Sequence, residues 1–335
     1  MVMQPIGRRA IITALAASCA AALFFTGATA SAQKDPGDNT VTVQLKWHHQ
    51  TQFAGLYVAE AKGYYRAEGL KVTHRQWKVG DPSPVDQVAN GSAEFGITSQ
   101  SQFLIEREKG AKIVAIAAVY QRSPVTFFSL KKSGIKHPRD FAGKTVAFAP
   151  THEVALKAVL KRFGMDLKDL KRAPYGFDLA PFYKGETAVW AGYVMNQPVD
   201  ARLAGYDVSV IFPDDYGVHG YDDILFASED LIRRKPALVE KWLRGALRGW
   251  RYAIEHSDEA TTITLAQSDA LKRDKQAAML LASIPLIHTG ERPLGWMTHE
   301  VWQSAAELLH ENRILTRVPP IESLFTTAFV ERSGR

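Results

Sequence analysis

From Val41 onward the chain repeats one pattern, a short apolar run, a polar turn and a helix-length segment closed by glycine. "VTVQLKW", "LKVTHRQW", "AEFGITS" and "AKIVAIAAVY" read as strands. Between them Ala54 to Glu68, Ser83 to Asn90 and Gln102 to Lys109 read as helices, with Gly69, Gly91 and Gly110 at their ends. Strand and helix alternating through short connections leave few solutions, and the expected one is right-handed crossover units on a mainly parallel sheet. The fold class is therefore α/β.

The pattern then restarts. "SPVTFFSLKKSG" is extended and "HPRDFAG" a short helical turn. "KTVAFAP" is a strand, and Glu153 to Phe163 a helix with Thr151 as its N-cap and Gly164 at its end. Leu179 to Lys184 and Pro198 to Leu203 read as helices, "TAVWAGYV" and "DVSVIFP" as strands. Two similar units predict two lobes, residues 125–224 forming the second and residues 41–124 with 225–330 the first. "ILFASEDLI" re-enters the first lobe, and the hinges are expected near Ser123–Val125 and Asp222–Leu225. Leu238, Trp242, Ala246, Trp250 and Ala253 recur at spacings of three and four, the stripe of a long amphipathic helix behind Pro236. Further helices are expected over Thr261 to Ile287 and Glu300 to Leu315.

Residues 1–32 read as a secretory signal peptide. Arg8 and Arg9 are the positive region, Ala10 to Phe25 the apolar one, and Ala30-Ser31-Ala32 the cleavage pattern. A periplasmic location follows as an expectation. The formal charge of +6 falls to +4 without the leader, and charges of both signs are interspersed, so nucleic acid is not an expected partner. The one cysteine, Cys19, lies inside the leader, which leaves no thiol for disulfides, metal sites or nucleophilic catalysis. A lipoprotein cleavage before Cys19 is the alternative.

Enzyme motifs are missing. Gly143-Lys144-Thr145 precedes a strand instead of a helix, so it is a turn and not a phosphate loop. His48 and His49 are adjacent and would point to different sides, which makes a poor metal-chelating pair. No metal and no cofactor is expected.

The turns at the carboxyl ends of the strands carry the functional expectation, because in an open sheet they line the ligand crevice. They hold Trp47, His48 and Gln50; Thr98, Ser99 and Gln100; Gln121; Thr151, His152 and Glu153; and Trp190, Tyr193 and Asn196. Phe53 sits just beyond the first of them, four residues before Tyr57 on a helix, a spacing that suits packing as well as contact. A planar polar ligand suits this mixture: rings stack on its faces while amides, hydroxyls and helix N-termini satisfy its edges. Trp47, Trp190 and Tyr193 are the expected stackers.

"VQLKWHHQTQFAGLYVAEAKGYYRAEGLKV", "SAEFGITSQSQFL", "SGIKHPRDFAGKTVAF" and "GYVMNQP" resemble the NMT1/THI5-like, or SsuA/THI5-like, periplasmic binding proteins. The resemblance implies a type II periplasmic-binding-protein fold, two α/β lobes joined by two crossovers. It also implies delivery of a small solute (a thiamine-pyrimidine precursor, riboflavin, or more distantly a sulfonate or nitrate) to the permease of an ABC transporter, by a monomer. The family includes a pyridoxal-dependent thiamine-pyrimidine synthase. Its lysine falls on Thr98, its consumed histidine on Gln102 and another of its histidines on Phe53, so an enzyme is not expected here. A ligand-presenting sensory domain is a further alternative. Lys46 stands where pyrimidine binders carry an acid, and Asn196-Gln197-Pro198 replaces "N-E-P"; both changes weigh against an aminopyrimidine.

Overall fold

The computed structural model describes residues 39–333 apart from Phe177. The signal peptide expected over residues 1–32, with Arg8, Arg9 and Cys19, lies outside the described residues. Ten strands run as β1 (Thr40–Gln44), β2 (Lys71–Arg75), β3 (Phe95–Thr98), β4 (Ile113–Tyr120), β5 (Val125–Leu130), β6 (Thr145–Ala147), β7 (Lys171–Ala173), β8 (Val189–Tyr193), β9 (Val208–Ile211) and β10 (Asp222–Ser228). The helices are α1 (Ala54–Ala61), α2 (Tyr64–Ala67), α3 (Pro84–Ala89), α4 (Gln100–Glu108), α5 (Pro150–Lys161), α6 (Ala180–Tyr183), α7 (Gln197–Leu203), α8 (Glu229–Arg234), α9 (Pro236–Glu255), α10 (Ser257–Leu265), α11 (Arg273–Ile287), α12 (His299–Glu311) and α13 (Ala328–Ser333).

The strands form two five-stranded sheets, ordered β2-β1-β3-β10-β4 and β7-β6-β8-β5-β9. Each begins with three parallel strands. In each, the strand after those three is antiparallel to both its neighbours, β10 in the first sheet and β5 in the second. The sheets are thus mixed, where the alternation of elements predicts a mainly parallel one. The reason is connectivity: β5 and β10 are the strands that follow the two passages of the chain from one lobe to the other, so they arrive without a crossover helix of their own lobe. Re-entry is earlier than expected, since Asp222 already pairs with Tyr120 and Ile224 with Thr98.

The first lobe packs α1 on α9 closely enough that a Cβ on Gly249 would lie 2.1 Å from the Gly55 carbonyl oxygen. The apolar stripe of α9 is core as its spacing predicts: Trp242 and Trp250 are buried, and Trp242 stacks on Phe95 with centroids 3.8 Å apart. The outer edge of β4 is covered rather than open. Ala115 exchanges backbone bonds with Leu324 and Thr326, and the Ala118 N–H donates to the Gly295 carbonyl.

Several element boundaries differ from the sequence reading. The helix expected over Ala54 to Glu68 breaks at Gly63, whose φ of +72° is left-handed and ends α1 before α2 begins. Helix α5 starts at Pro150, a favoured first helical residue because its missing N–H would have had no partner there, so Thr151 lies within the helix and does not cap it. The first of the helices expected over Thr261 to Ile287 starts earlier, at Ser257, and β7 and α13 are too short to have been recognised from periodicity.

Candidate ligand-binding site

A cavity of about 700 Å³ lies where the strand ends of both sheets converge. Its floor is a charged cluster assembled from distant parts of the chain. Lys46, two residues past β1, points its ammonium at the carboxylates of Asp222, which it contacts closely, and of Asp223 at 2.7 Å. Asp222 also accepts from the Asp223 N–H at 2.7 Å and from the Tyr193 hydroxyl at 2.6 Å. The Gln52 amide donates to both Asp223 oxygens, at 2.8 and 3.1 Å. Asp223 adopts φ +45°, a left-handed conformation that aspartate tolerates better than most residues.

The charges in this cluster set one another. Burial alone would lower the Lys46 pKa, but Asp222 and Asp223 outweigh it and hold the ammonium protonated well above its ordinary range. Burial pushes the Asp223 carboxyl up to about 6, with Lys46 opposing and Asp222 reinforcing that rise. Burial, and then the neighbouring Asp222 charge, likewise raise the Tyr193 phenol, which therefore stays a neutral donor.

Above this floor stand aromatic rings. Trp47 and Trp77 lie nearly parallel, 19° apart with centroids separated by 6.0 Å, each at the carboxyl end of its strand. Facing them from the second lobe, Tyr175 and His152 meet edge to face at 5.5 Å. His152 Nδ1 accepts from the Ala149 N–H at 3.2 Å, which leaves the ring proton of the neutral form on Nε2. Burial lowers its pKa to about 4, partly offset by Asp222, so it is a neutral donor at ordinary pH.

Amides complete the wall. Ser99 caps α4 by accepting from the Gln102 N–H at 3.3 Å. Gln100, only 3% exposed, accepts through Oε1 from the Tyr221 N–H at 2.9 Å, while its amide nitrogen is buried with no partner. An unpaired buried donor is costly, and this one belongs to a residue that lines the cavity. The Asn196 side chain makes no capping bond to α7.

Of the residues singled out from the sequence, the structure brings Trp47, Thr98, Ser99, Gln100, Thr151, His152, Tyr193 and Asn196 to the cavity. The others are elsewhere. Trp190 is 1% exposed and lies beneath Tyr175, centroids 5.6 Å apart, because strand alternation turns it to the face opposite Tyr193. Phe53 is buried in the core of the first lobe. Gln50 is turned inward to donate to Gln52, and Gln121 to the carbonyls of Ala118 and Trp296. His48 is exposed with its ring edge-on to Trp47, and Glu153 pairs with Lys157 at 2.7 Å.

Sequence reasoning missed Trp77, Gln52, Tyr175 and above all Asp222 and Asp223. Trp77 carried a usable signal, since it follows β2 as Trp47 follows β1. The acids did not, being 176 and 177 positions from Lys46. The floor beside Lys46 thus carries acids after all, supplied by β10 and paired with that lysine. Among the described residues no group of three or more His, Cys, Asp or Glu is placed to hold a metal ion, and no helix is long and apolar enough to cross a membrane.

The chain is 30% identical over 306 residues to the riboflavin-binding protein RibY of Chloroflexus aurantiacus, covering 87% of this chain and 86% of that one. It is 27% identical over 309 residues to a formylaminopyrimidine-binding protein of Halalkalibacterium halodurans, covering 89% and 93%. Among solved structures, the periplasmic aliphatic sulphonate binding protein SsuA of Escherichia coli matches the fold with a TM-score of 0.67 at 18% identity, over 85% of this chain and 91% of that one. A family model described as NMT1/THI5 like matches residues 50–260. With its two mixed sheets joined by two crossovers in a type II periplasmic-binding-protein fold, this chain belongs to the NMT1/THI5-like family.

Proposed function

We propose that this protein is the exported solute-binding component of an ABC importer, and that it captures a small planar heteroaromatic molecule between its lobes before passing it to a membrane permease. The observation that carries this reading is the pairing of the Trp47 and Trp77 rings with the buried Gln100 amide nitrogen, which has no partner. Trp47, Trp77 and Tyr175 supply faces for stacking; Gln100, Asn196 and Thr98 supply the edge. The names of the two relatives, one binding riboflavin and one formylaminopyrimidine, point to the same class of ligand.

The floor speaks against a sulfonate or nitrate. Lys46 is the one lysine lining the cavity, and its charge is met by two carboxylates, so no net positive charge is left to attract an anion. It speaks against the synthase chemistry as well. A Schiff base requires a neutral amine, Lys46 is held as an ammonium, and the position of the synthase lysine is Thr98. Closure on the ligand needs only that the shut state bind it better than the open one.

Thermal-shift measurements on the leaderless protein test this with riboflavin, formylaminopyrimidine, hydroxymethylpyrimidine, thiamine, taurine and nitrate. A ligand present at about a hundred times its dissociation constant adds about 2.7 kcal/mol of stability. A shift with a heteroaromatic and none with taurine or nitrate is the expected result. A shift with taurine alone, or a pyridoxal chromophore on incubation with that cofactor, would sink it.

A further inference from the structure

The cavity uses only part of the charge that the first lobe displays. On α9, Lys241, Arg244, Arg248 and Arg251 recur at spacings of three and four, on the side of the helix turned away from its buried Trp242 and Trp250. None of the four lines the cavity. Arg244 is neutralised by Glu68 at 3.1 Å and by Glu240 at 2.6 Å. Lys241, Arg248 and Arg251 are exposed and form no ion pair among the described residues. The row stops at Glu255, the last residue of α9. Arg248 lies over the Tyr64 ring of α2 at 4.0 Å, and Lys62 over the Tyr252 ring at 4.3 Å, so tyrosines stand among the cations. Helix α2 adds a further exposed cation, Arg66. Like charges three and four residues apart on a helix repel, so the row costs the free protein stability unless an anion faces it.

Resting on the export reading above, we infer that this face of α9 docks on an anionic membrane surface, with the phosphodiester headgroups of acidic lipids meeting Lys241, Arg248 and Arg251. Two observations favour a lipid surface over an acidic protein. The row runs along a single 20-residue helix, so it is straight and rigid and suits a flat layer of charge. A protein partner would call for an apolar anchor near the centre of the contact. Among the described residues the exposed large apolar side chains are Val79, Leu203, Leu281 and Ile314, and none of them belongs to α2 or α9. The apolar stripe of α9 is itself buried in the core, so the helix has no apolar face left to insert and adsorption is electrostatic alone. Such a contact would hold the protein beside the membrane that houses its permease, through residues that take no part in the cavity.

The test is co-sedimentation of the leaderless protein with vesicles of phosphatidylcholine, alone or with about one-third phosphatidylglycerol. Binding is expected to the anionic vesicles only, and it should vanish between about 0.02 M and about 0.5 M salt as screening removes the attraction. Each cation near an anionic surface is worth about fivefold in partitioning, so Lys241→Gln with Arg251→Gln should weaken binding by about thirtyfold. Lys131→Gln with Lys132→Gln makes the same change in net charge on exposed residues of the second lobe, and should leave binding within about threefold of wild type. Neither pair should shift the melting temperature, since all four side chains are exposed. Should the α9 pair melt early, Lys241→Gln alone stands in, with an expected loss of about fivefold. Equal binding to phosphatidylcholine, binding that survives high salt, or equal losses in the two pairs would overturn the proposal. Absence of sedimentation would overturn it too, and binding of poly-glutamate to wild type but not to the α9 pair would then assign the row to an acidic protein. None of these results bears on ligand capture, which the thermal shifts read separately.

Discussion

The two lobes are built on one plan and treat charge differently. Strand for strand, β2-β1-β3 with β10 and β4 matches β7-β6-β8 with β5 and β9, down to the antiparallel strand that follows each interlobe passage. Yet the first lobe ends its strands in an ammonium and two carboxylates, while the second offers a neutral histidine, a tyrosine, an asparagine and one carboxylate, Asp214, which is paired with Arg122 at 2.6 Å. Topology places a site without deciding its polarity. The lobes also divide their tryptophans: Trp47, after β1, stands at the cavity, whereas Trp190, inside β8, is packed beneath it.

The tryptophans give the sharpest test of that contrast. Trp190→Ala should destabilise the protein by about 3–5 kcal/mol, the usual cost of emptying a buried aromatic site, with the remaining folded protein still binding ligand. Trp47→Ala should do the reverse, weakening binding by about 1–3 kcal/mol with little change in melting temperature, as loss of a stacking ring does. Unfolding of the second, or loss of binding by the first without loss of stability, would erase the distinction between them.

The charged floor is broken most directly by Lys46→Met. Removing one partner of a buried ionic cluster leaves carboxylates unpaired, and the expected loss is about 3–5 kcal/mol in a denaturant titration at neutral pH. A milder probe is Asp223→Asn, which suits the left-handed backbone and keeps an acceptor for Gln52. The Asp223 carboxyl is raised from 3.8 to about 6 on folding. The folded state therefore holds the proton more tightly, and the stability this gives is complete below 3.8 and lost as pH rises through about 6. Wild type should lose stability relative to Asp223→Asn across that window and run parallel to it above.

The smallest effect is expected from the second lobe. The pKa of His152, depressed to about 4, gives stability that is present above its ordinary value of 6.5 and lost as pH falls toward 4. In an Asp223→Asn background, which removes the floor carboxyl that titrates near 6, ligand affinity should be level from about pH 5 to about pH 8, where an unperturbed histidine would titrate, and should fall only near the lower limit. A midpoint near 6.5 in the binding curve would mean that His152 is solvated and the two lobes are more alike than the structure has them.

Much of the site was legible in the chain because strand-end turns are local features. Trp47, Thr98 to Gln100, Tyr193 and Asn196 were found by asking which residues follow an apolar run, and all of them reach the cavity. Trp190 failed by the same method because a residue inside a strand faces one side or the other, and its face is set by register against Phe128 and Ala147. Sequence alone determined the alternation of elements, the paired lobes, the family and the zone where ligand would sit, since each of these rests on periodicity or on motifs a few residues long. Only the tertiary structure decided the chemistry of the floor. Lys46 meets Asp222 and Asp223 because β10 returns to the first sheet after the whole second lobe has been built. Pairing of charges depends on distance in space, and nothing in the spacing of residues along the chain records it.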